Sequence, residues 1–486
     1  MINKIRINFF IILLFASLGA FAQDTGGKKV WTLQECIEHS LKDNLSIQQS
    51  KLTVEENKAF LKQARGNMLP NLNAGGNYGY NWGRGIDPTE NTFVNERITF
   101  SGFSASSNMT LFGGFQVRNG IKQSNLDLEA SELDLKTSEN RTILNVATFY
   151  LNVIFNQELL NNAKTQLEST NTQLSRTEKL VEAGSLPLSN LLDLKSQQAS
   201  NEANVISSEN ALTLSLLNLK QLLQIPASDP FEIEIPNLDA PSALLLSKSA
   251  NQIYDYAEAN QPEIQSANLK IESADYGAKI AKGGLYPSLS LSGSISTNYS
   301  DAAVEFVPDG TFSVEPEQRL QGNLTGNPSA TIDLFSVSPN GNIQDVSASD
   351  QFDRNLSQRL TFNLQIPIFN RLQTSTAIQR ANIAKQRAEV NAIQEKQTLR
   401  QTIEQAYNDA LASAKSYEAS LKQVEALEES FRMAQQQYDN GVINFVDFQI
   451  AQNNMFQAKS DLVRNKFDFI FKTKVLDFYQ GNPINF

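Results

Sequence analysis

The chain has a single cysteine, Cys36, and a single histidine, His39, among 486 residues. That rules out an internal disulfide framework and any metal site built from several cysteine and histidine ligands. At i and i+3 on one helix, the two read as structural. With only 15 prolines and 24 glycines, the chain is too orderly for a linker-rich or low-complexity protein. After residue 22 no apolar run approaches the roughly 18 residues needed to cross lipid as a helix. Basic charge is short as well: 41 Lys and Arg against 52 Asp and Glu leave a net charge of −11, with none of the basic surplus of a general nucleic-acid binder. No Gly-rich loop precedes a helix and no nucleophile motif stands out, so neither catalytic residues nor a cofactor or metal is expected.

The first 22 residues read as a secretory signal. Lys4 and Arg6 precede an apolar stretch from Phe9 to Leu18, and Ala20-Phe21-Ala22 offers a cleavage site before Gln23. The mature chain is therefore expected outside the cytoplasm. Cys36 lies too far beyond that point to carry a lipid anchor.

What is present is a duplication. Leu69-Pro70-Asn71-Leu72 recurs as Tyr286-Pro287-Ser288-Leu289 at an offset of 217, and Ala183-Gly184-Ser185-Leu186 recurs as Asn440-Gly441-Val442-Ile443 at an offset of 257. About 40 residues are thus inserted within the second copy, a unit far longer than solenoid repeats. The first copy, 23–225, is expected to hold a helix over 32–65, strands over 71–82 and 97–112, a long helix over 115–183 and a return helix over 188–223. The second, 250–486, repeats this as a helix over 252–282, strands over 288–299 and 359–369, a long helix over 372–440 and a return helix over 445–479. The insertion falls in the loop 300–355, and a Pro-rich crossover, 226–249, is expected to girdle the helices.

The strands alternate apolar and polar residues over lengths suited to a lipid-facing barrel, which needs about 9–11 residues per strand. Leu72, Ala74, Tyr78, Tyr80 and Trp82 share one face, and Asn71, Asn73, Asn77 and Asn81 the other. Tyr78, Tyr80, Trp82 and Tyr299 stand where an interfacial aromatic girdle would lie. The strand 97–112 is less regular, with an expected phase slip near Gly102. Each long helix would be a rod of roughly 100 Å at 1.5 Å per residue. Leu160, Leu167, Leu174 and Val181 recur every seven residues, and Tyr417, Val424, Phe431 and Tyr438 repeat that seam in the second copy, which suits coiled-coil packing. Each return helix is about half the rod's length, so the segments 32–65 and 252–282 are expected to stack end to end on them. Four strands cannot close a barrel, and open edges are costly in hydrocarbon. The chain must oligomerise.

In the order and repetition of these features the chain resembles the TolC-type outer-membrane efflux proteins. The resemblance runs from Trp31-Thr32-Leu33-Gln34-Glu35 and Asn44-Leu45 through the two strand starts and the strand exit Leu111-Phe112-Gly113-Gly114 to the tip glycines. It implies a mainly α fold with a membrane β-barrel part, a homotrimer with a twelve-stranded barrel in the outer membrane, a periplasmic helical tunnel, and docking to a periplasmic adaptor and an inner-membrane pump. It further implies a gate at the helical tip, to which Tyr438, Asp447, Asn190 and Asp193 are assigned. A Tyr438–Asn190 hydrogen bond is possible, but Ile443 replaces the family's arginine and Ile450 its outer aspartate. Asp447 also fits an ordinary helix cap or first-turn acid. Gly184, Ser185, Leu186, Gly441, Val442 and Ile443 are the expected adaptor-docking turns, with Leu186 and Val442 exposed at a tip lacking a core of its own. The alternative is a barrel-anchored, adhesin-like coiled coil without transport.

Overall fold

The computed structural model describes residues 30–86, 93–95, 97–236, 248–324, 327–482 and 484. The expected signal segment and the middle of the expected crossover lie outside them. In chain order the elements are β1 (Val30–Trp31), α1 (Leu33–Asp43), α2 (Leu45–Gly66), β2 (Asn73–Asn81), β3 (Arg84–Ile86), β4 (Phe93–Asn95), β5 (Ile98–Gly113), α3 (Gln116–Glu182) and α4 (Leu188–Leu222). There follow β6 (Glu232–Ile233), α5 (Ala250–Asn260), α6 (Pro262–Gly283), β7 (Ser288–Ser300), β8 (Val304–Leu324), β9 (Asn327–Asp345), α7 (Ala348–Arg354), β10 (Ser357–Gln365), α8 (Gln373–Asp439) and α9 (Phe445–Tyr479).

Helix lengths repeat residue for residue: 11 for α1 and α5, 22 for α2 and α6, 67 for α3 and α8, and 35 for α4 and α9. The inserted length therefore sits entirely between β7 and β10. Each expected first helix is two helices rather than one, and the cause is local. In the first copy Asn44 turns to an extended ψ of 126°, and its side-chain oxygen accepts from the Ser46 amide at 2.9 Å, ending one helix and capping the next. In the second, Gln261 is extended and Pro262 begins α6, a position where the missing amide hydrogen costs nothing. Both α1 and α5 open with a capping box, Thr32 with Glu35 and Ser249 with Gln252. Among the described residues no helix is long and apolar enough to cross a membrane.

The chain forms two compact units. Of the described residues, the first gathers those from 30 to 58, from 126 to 271 and from 386 onward. Its largest core is built on one face of α3, where Val146, Tyr150, Val153 and Ile154 meet Cys36 and Ile37 of α1, Leu219 of α4 and Ile470 of α9. Tyr150 is fully buried, and its single hydroxyl proton goes to the Glu234 carbonyl at 2.6 Å, shared with the Trp31 carbonyl at 3.3 Å. It thereby ties α3 to the short parallel pair that β1 makes with β6. Burial raises the pKa of this hydroxyl above the ordinary tyrosine value. The stability it lends is complete below that value and is lost as pH rises beyond it. His39 packs edge-on against Trp31 and sets its ring nitrogens against Leu223 O and Asp43, a structural role. A second core joins Ile253, Ala257 and Ile264 to Leu399, Ile403 and Leu476.

The heptad seam is only partly the buried stripe. Leu160 and Val424 are buried, but Thr170, Gln173 and Thr177 are buried as well. A helix with neighbours on more than one side buries a wider face than a two-helix seam requires.

The second unit, 59–125 with 272–385, holds every strand but β1 and β6. Its central sheet has the order β10-β7-β5-β2, every neighbouring pair antiparallel. The segment 300–355 is not an open loop: β8 and β9 form a long ribbon of their own, and α7 packs beneath it with Phe352 against Phe103 and Tyr299. In the shorter loop β3 pairs with β4. The last strand ends at Gln365, ahead of Pro367, instead of reaching residue 369, because proline cannot donate to a ladder. On α6, Asp275 bonds Lys279 and Lys385, each at 2.7 Å, and the two ammonium groups hold its carboxyl down to about 2. That contribution is present above the usual aspartate range and fades as pH falls through about 2.

Candidate functional site

The register of the four strands sorts their side chains into two chemically distinct faces. Tyr78, Ser101 and Tyr299 lie in one row, Gly76, Phe103 and Thr297 in the next, and Met109, Leu291 and Phe362 in another. Directly opposed residues share a face, so this one collects Tyr78, Tyr80, Phe103, Ile295, Leu291, Leu360, Phe362 and Leu364. The other face holds Asn73, Asn77, Ser104, Ser106, Asn108, Thr361 and Asn363, together with every second residue of β7 from Ser288 to Ser300. Its only charge among the strand residues is Arg359.

Apart from Phe103 and Tyr299, which meet Phe352 of α7, the apolar face is uncovered among the described residues. Leu360, Phe362 and Leu364 are each more than 60% exposed, as are Tyr78 and Trp82. Soluble surfaces rarely leave a patch of more than a few hundred Å² of this character open. The edge strands β2 and β10 also present unpaired backbone.

The irregularity of the third expected strand lies elsewhere than expected. Pairing runs unbroken through Gly102, which faces Asn77 and Asn298, and the register shifts between Thr110 and Phe112. The apparent slip at Gly102 arises because Ile98 and Phe100, at the strand end, occupy the polar face. The aromatic cluster is assembled on one strand: Tyr78 meets Tyr80 at 5.5 Å between ring centroids, and Tyr80 meets Trp82 at 5.7 Å. Tyr299 shares that face but lies against Phe352 and is half-buried.

At the helical tip both turns close on glycine. Gly184 and Gly441 have φ of 74° and 73°, the left-handed conformation that ends a helix. Ser185 N–H reaches back to Leu180 O at 2.8 Å, and Val442 N–H to Gln437 O at 2.8 Å. A Cβ at either glycine would meet nothing within 4 Å among the described residues, so conformation and not space selects the residue.

Contrary to expectation, the tip has a core of its own. Leu194, Phe445 and Phe448 are buried there, with Leu174, Phe431, Tyr438 and Ile443 packed against them. Tyr438 stacks on Phe448 at 5.0 Å, and its hydroxyl is buried with no hydrogen-bond partner among the described residues, so it does not bond Asn190. Asn190 instead uses its backbone amide to bond Pro187 O. Of the docking turns, Gly184, Ser185, Gly441 and Val442 are exposed, whereas Leu186 and Ile443 are half-buried. Asp447 is not the cap of α9: Asn444 holds that place, accepting from the Asp447 amide at 2.9 Å, and the Asp447 carboxylate is left exposed in the first turn. Asp193 is exposed on α4.

The tip also carries a link that sequence reasoning missed. Arg176 of α3 pairs with Asp439 of α8 at 2.5 Å, joining the two duplicated halves across 263 positions. Gln197 and Gln449, at 2.8 Å, make a second bridge between α4 and α9. Neither pair lies in a motif, and only a fold that brings the copies side by side reveals them.

The comparisons with known proteins agree with this architecture. A profile described as outer membrane efflux protein matches residues 36–223 and 253–468. The outer membrane efflux protein BepC of Brucella suis is 21% identical over 451 residues, covering 92% of this chain and 84% of that protein. The outer membrane protein TolC of Escherichia coli is 21% identical over 430 residues, covering 86% and 76%. Among solved structures, the outer membrane protein VceC of Vibrio cholerae superposes with a TM-score of 0.68 at 15% identity, over 93% of this chain and 97% of that one. The outer-membrane channel OprN gives a TM-score of 0.71 at 15% identity, over 93% and 90%. The family profile thus spans both duplicated halves, and the chain belongs to the outer membrane efflux protein family.

Proposed function

We propose that three copies of this chain form the passive outer-membrane exit duct of a tripartite export apparatus. The observation that supports this most is the two-faced sheet with both edges open. Because each strand is antiparallel to the next across β10-β7-β5-β2, β2 and β10 run in opposite directions, and β2 of one copy can accept β10 of another without breaking the order. Three copies then make a closed barrel of twelve strands with its apolar face to lipid and its Asn- and Ser-rich face to a water-filled lumen. In this reading the helices line a periplasmic passage, and the turns at Gly184 and Gly441 meet an adaptor bound to an inner-membrane pump. The chain performs no catalysis. The family match favours the duct over the adhesin-like stalk.

At the tip, Asp447 from three copies makes a ring of carboxylates that draws cations and repels anions. The purified protein in a planar lipid bilayer is expected to conduct, with a preference for cations that falls in Asp447→Ala. Absence of any conductance counts against the duct, and unchanged selectivity in the variant removes Asp447 from the constriction.

In the absence of the family's arginine, Arg176 and Asp439 latch the two halves. An ion pair this exposed contributes at most about 1 kcal/mol, but three in one assembly reach about 3 kcal/mol, roughly a hundredfold in the closed-to-open ratio. Arg176→Glu is expected to raise the open-state conductance events sharply, and the reversal Arg176→Asp with Asp439→Arg to restore closure. Equal gating in the single and reversed variants would remove the latch.

A further inference from the structure

The ribbon of β8 and β9 is amphipathic, and none of the described residues covers its apolar side. Phe306 opposes Ile343, Phe312 opposes Pro339, Val314 opposes Val337 and Pro316 opposes Phe335, all on one face. The intervening positions, Glu305 with Gln344, Val307 with Asn342, Ser313 with Ser338 and Glu315 with Ser336, form a face that is polar but for Val307. Phe312, Val314, Phe335, Val337 and Ile343 are all more than half exposed.

The ribbon is held firmly at its root. Arg354 of α7 pairs with Glu305 at 2.7 Å, and the buried Gln351 side chain bonds the Ser300 amide, the Ser300 carbonyl and the Val346 carbonyl, each at 2.9 Å. The apolar pairs span Phe335–Ile343 of β9, about 30 Å at ~3.3 Å per residue, and two strands make a face of about 300 Å² there. That is the size of the largest apolar patch of a typical monomer, which is commonly an interaction surface.

We propose that this face is covered by the same face of the other two copies, so that three ribbons pack into an apolar collar outside the barrel. The inference rests on the three-copy duct proposed above. It rests further on three features of the chain.

The ribbon grows from β7 and leads through α7 into β10, the strand whose free edge awaits the next copy. A barrel of twelve strands ~4.8 Å apart and tilted ~40° has a radius of about 12 Å, so three ribbons of this length start within easy reach of one another. The edges, in turn, refuse a further strand: Pro308 and Pro316 stand within β8 and Pro339 within β9, each lacking an N–H to offer, and the register shifts at three places. Proline and bulges are what block edge-to-edge pairing. Association through the face is what the ribbon leaves available, and one threefold arrangement covers all three faces at once.

The test is disulfide trapping in the full chain, in which native Cys36 is buried. Val337→Cys should give disulfide-linked dimers on oxidation of the trimeric particle, whereas Ser338→Cys, one position along on the polar face, and the parent chain should not. Phe312→Cys provides a second site should Val337→Cys fold poorly. A trimeric particle in which the thiol introduced by Val337→Cys stays unlinked and reacts freely with a maleimide polymer overturns the collar alone. So does a thiol shielded in outer-membrane vesicles but reactive in detergent, which places the face on lipid. Native mass is read separately, and a monomeric particle overturns the duct and the collar together.

Discussion

Phe362→Arg is expected to remove the protein from the outer membrane, while Asn363→Arg, one residue further along the same strand, leaves assembly intact. Phe362 lies near the middle of β10, paired with Leu291, and is 63% exposed in the isolated chain. On the lipid side of a barrel, an arginine near the bilayer midplane costs about 2–4 kcal/mol, and three copies multiply that. Asn363 pairs with Ser290 on the opposite face, where an added guanidinium meets water and, at most, the Arg359 guanidinium further along the same strand and face. The measurement is the amount of each variant recovered in outer-membrane fractions and the conductance of what is recovered. Equal recovery of the two variants would mean that the apolar face does not meet lipid.

Gly114→Ala is the second large effect, expected to deplete folded protein. Gly114 has a φ of 60°, which costs other residues roughly 1–2 kcal/mol. A Cβ there would overlap the Gly283 carbonyl oxygen, a backbone atom that no rotamer change can move aside. Together these place the substitution beyond about 4 kcal/mol, among the exceptional single changes. Gly113→Ala is the comparison: its nearest neighbour is the Thr110 methyl at 3.3 Å, which a side-chain shift relieves. Thermal melting and protease resistance in detergent should separate the two, and an unaltered melting point for Gly114→Ala would refute the close packing at this joint.

Much of this architecture was legible in the sequence because it is carried by period. The switch from 3.6 to 2 after Pro70 and Pro287 marks where helix gives way to strand, and the glycines at 184 and 441 mark where the rods turn. What escaped is carried by contacts between distant residues. The breaks at Asn44 and Gln261 are single-residue events inside otherwise helical patterns. The ribbon hides in a segment rich in Ser, Asn and Gly, whose alternation shows only once its two strands are set in register. At the tip, turn chemistry was readable from Gly184 and Gly441, but the aromatic stacking of Tyr438 on Phe448 and the Arg176–Asp439 pair depend on how two copies pack together. Asp447 was readable as a first-turn acid; that Asn444 supplies the cap, leaving the carboxylate unengaged by it, is a matter of geometry.

In the three-copy duct proposed above, the joint at Gly114 has a twin whose other half lies on a different polypeptide. Gly114 and Phe115 both adopt left-handed backbone where β5 hands over to α3, and at the 257-residue offset Arg371 and Leu372 do the same before α8. The glycine that receives the first of these corners, Gly283, has its own counterpart at the 217-residue offset in Gly66. Gly283 is wedged against Gly114, yet a Cβ at Gly66 would meet nothing within 4 Å among the described residues. Ring closure as proposed sets the Arg371 corner of one subunit on the Gly66 flank of its neighbour, so half of these hinges are completed at synthesis and half only on meeting a sister molecule. A lesion at Gly66 would then leave each subunit sound and betray itself solely as a ring that will not shut.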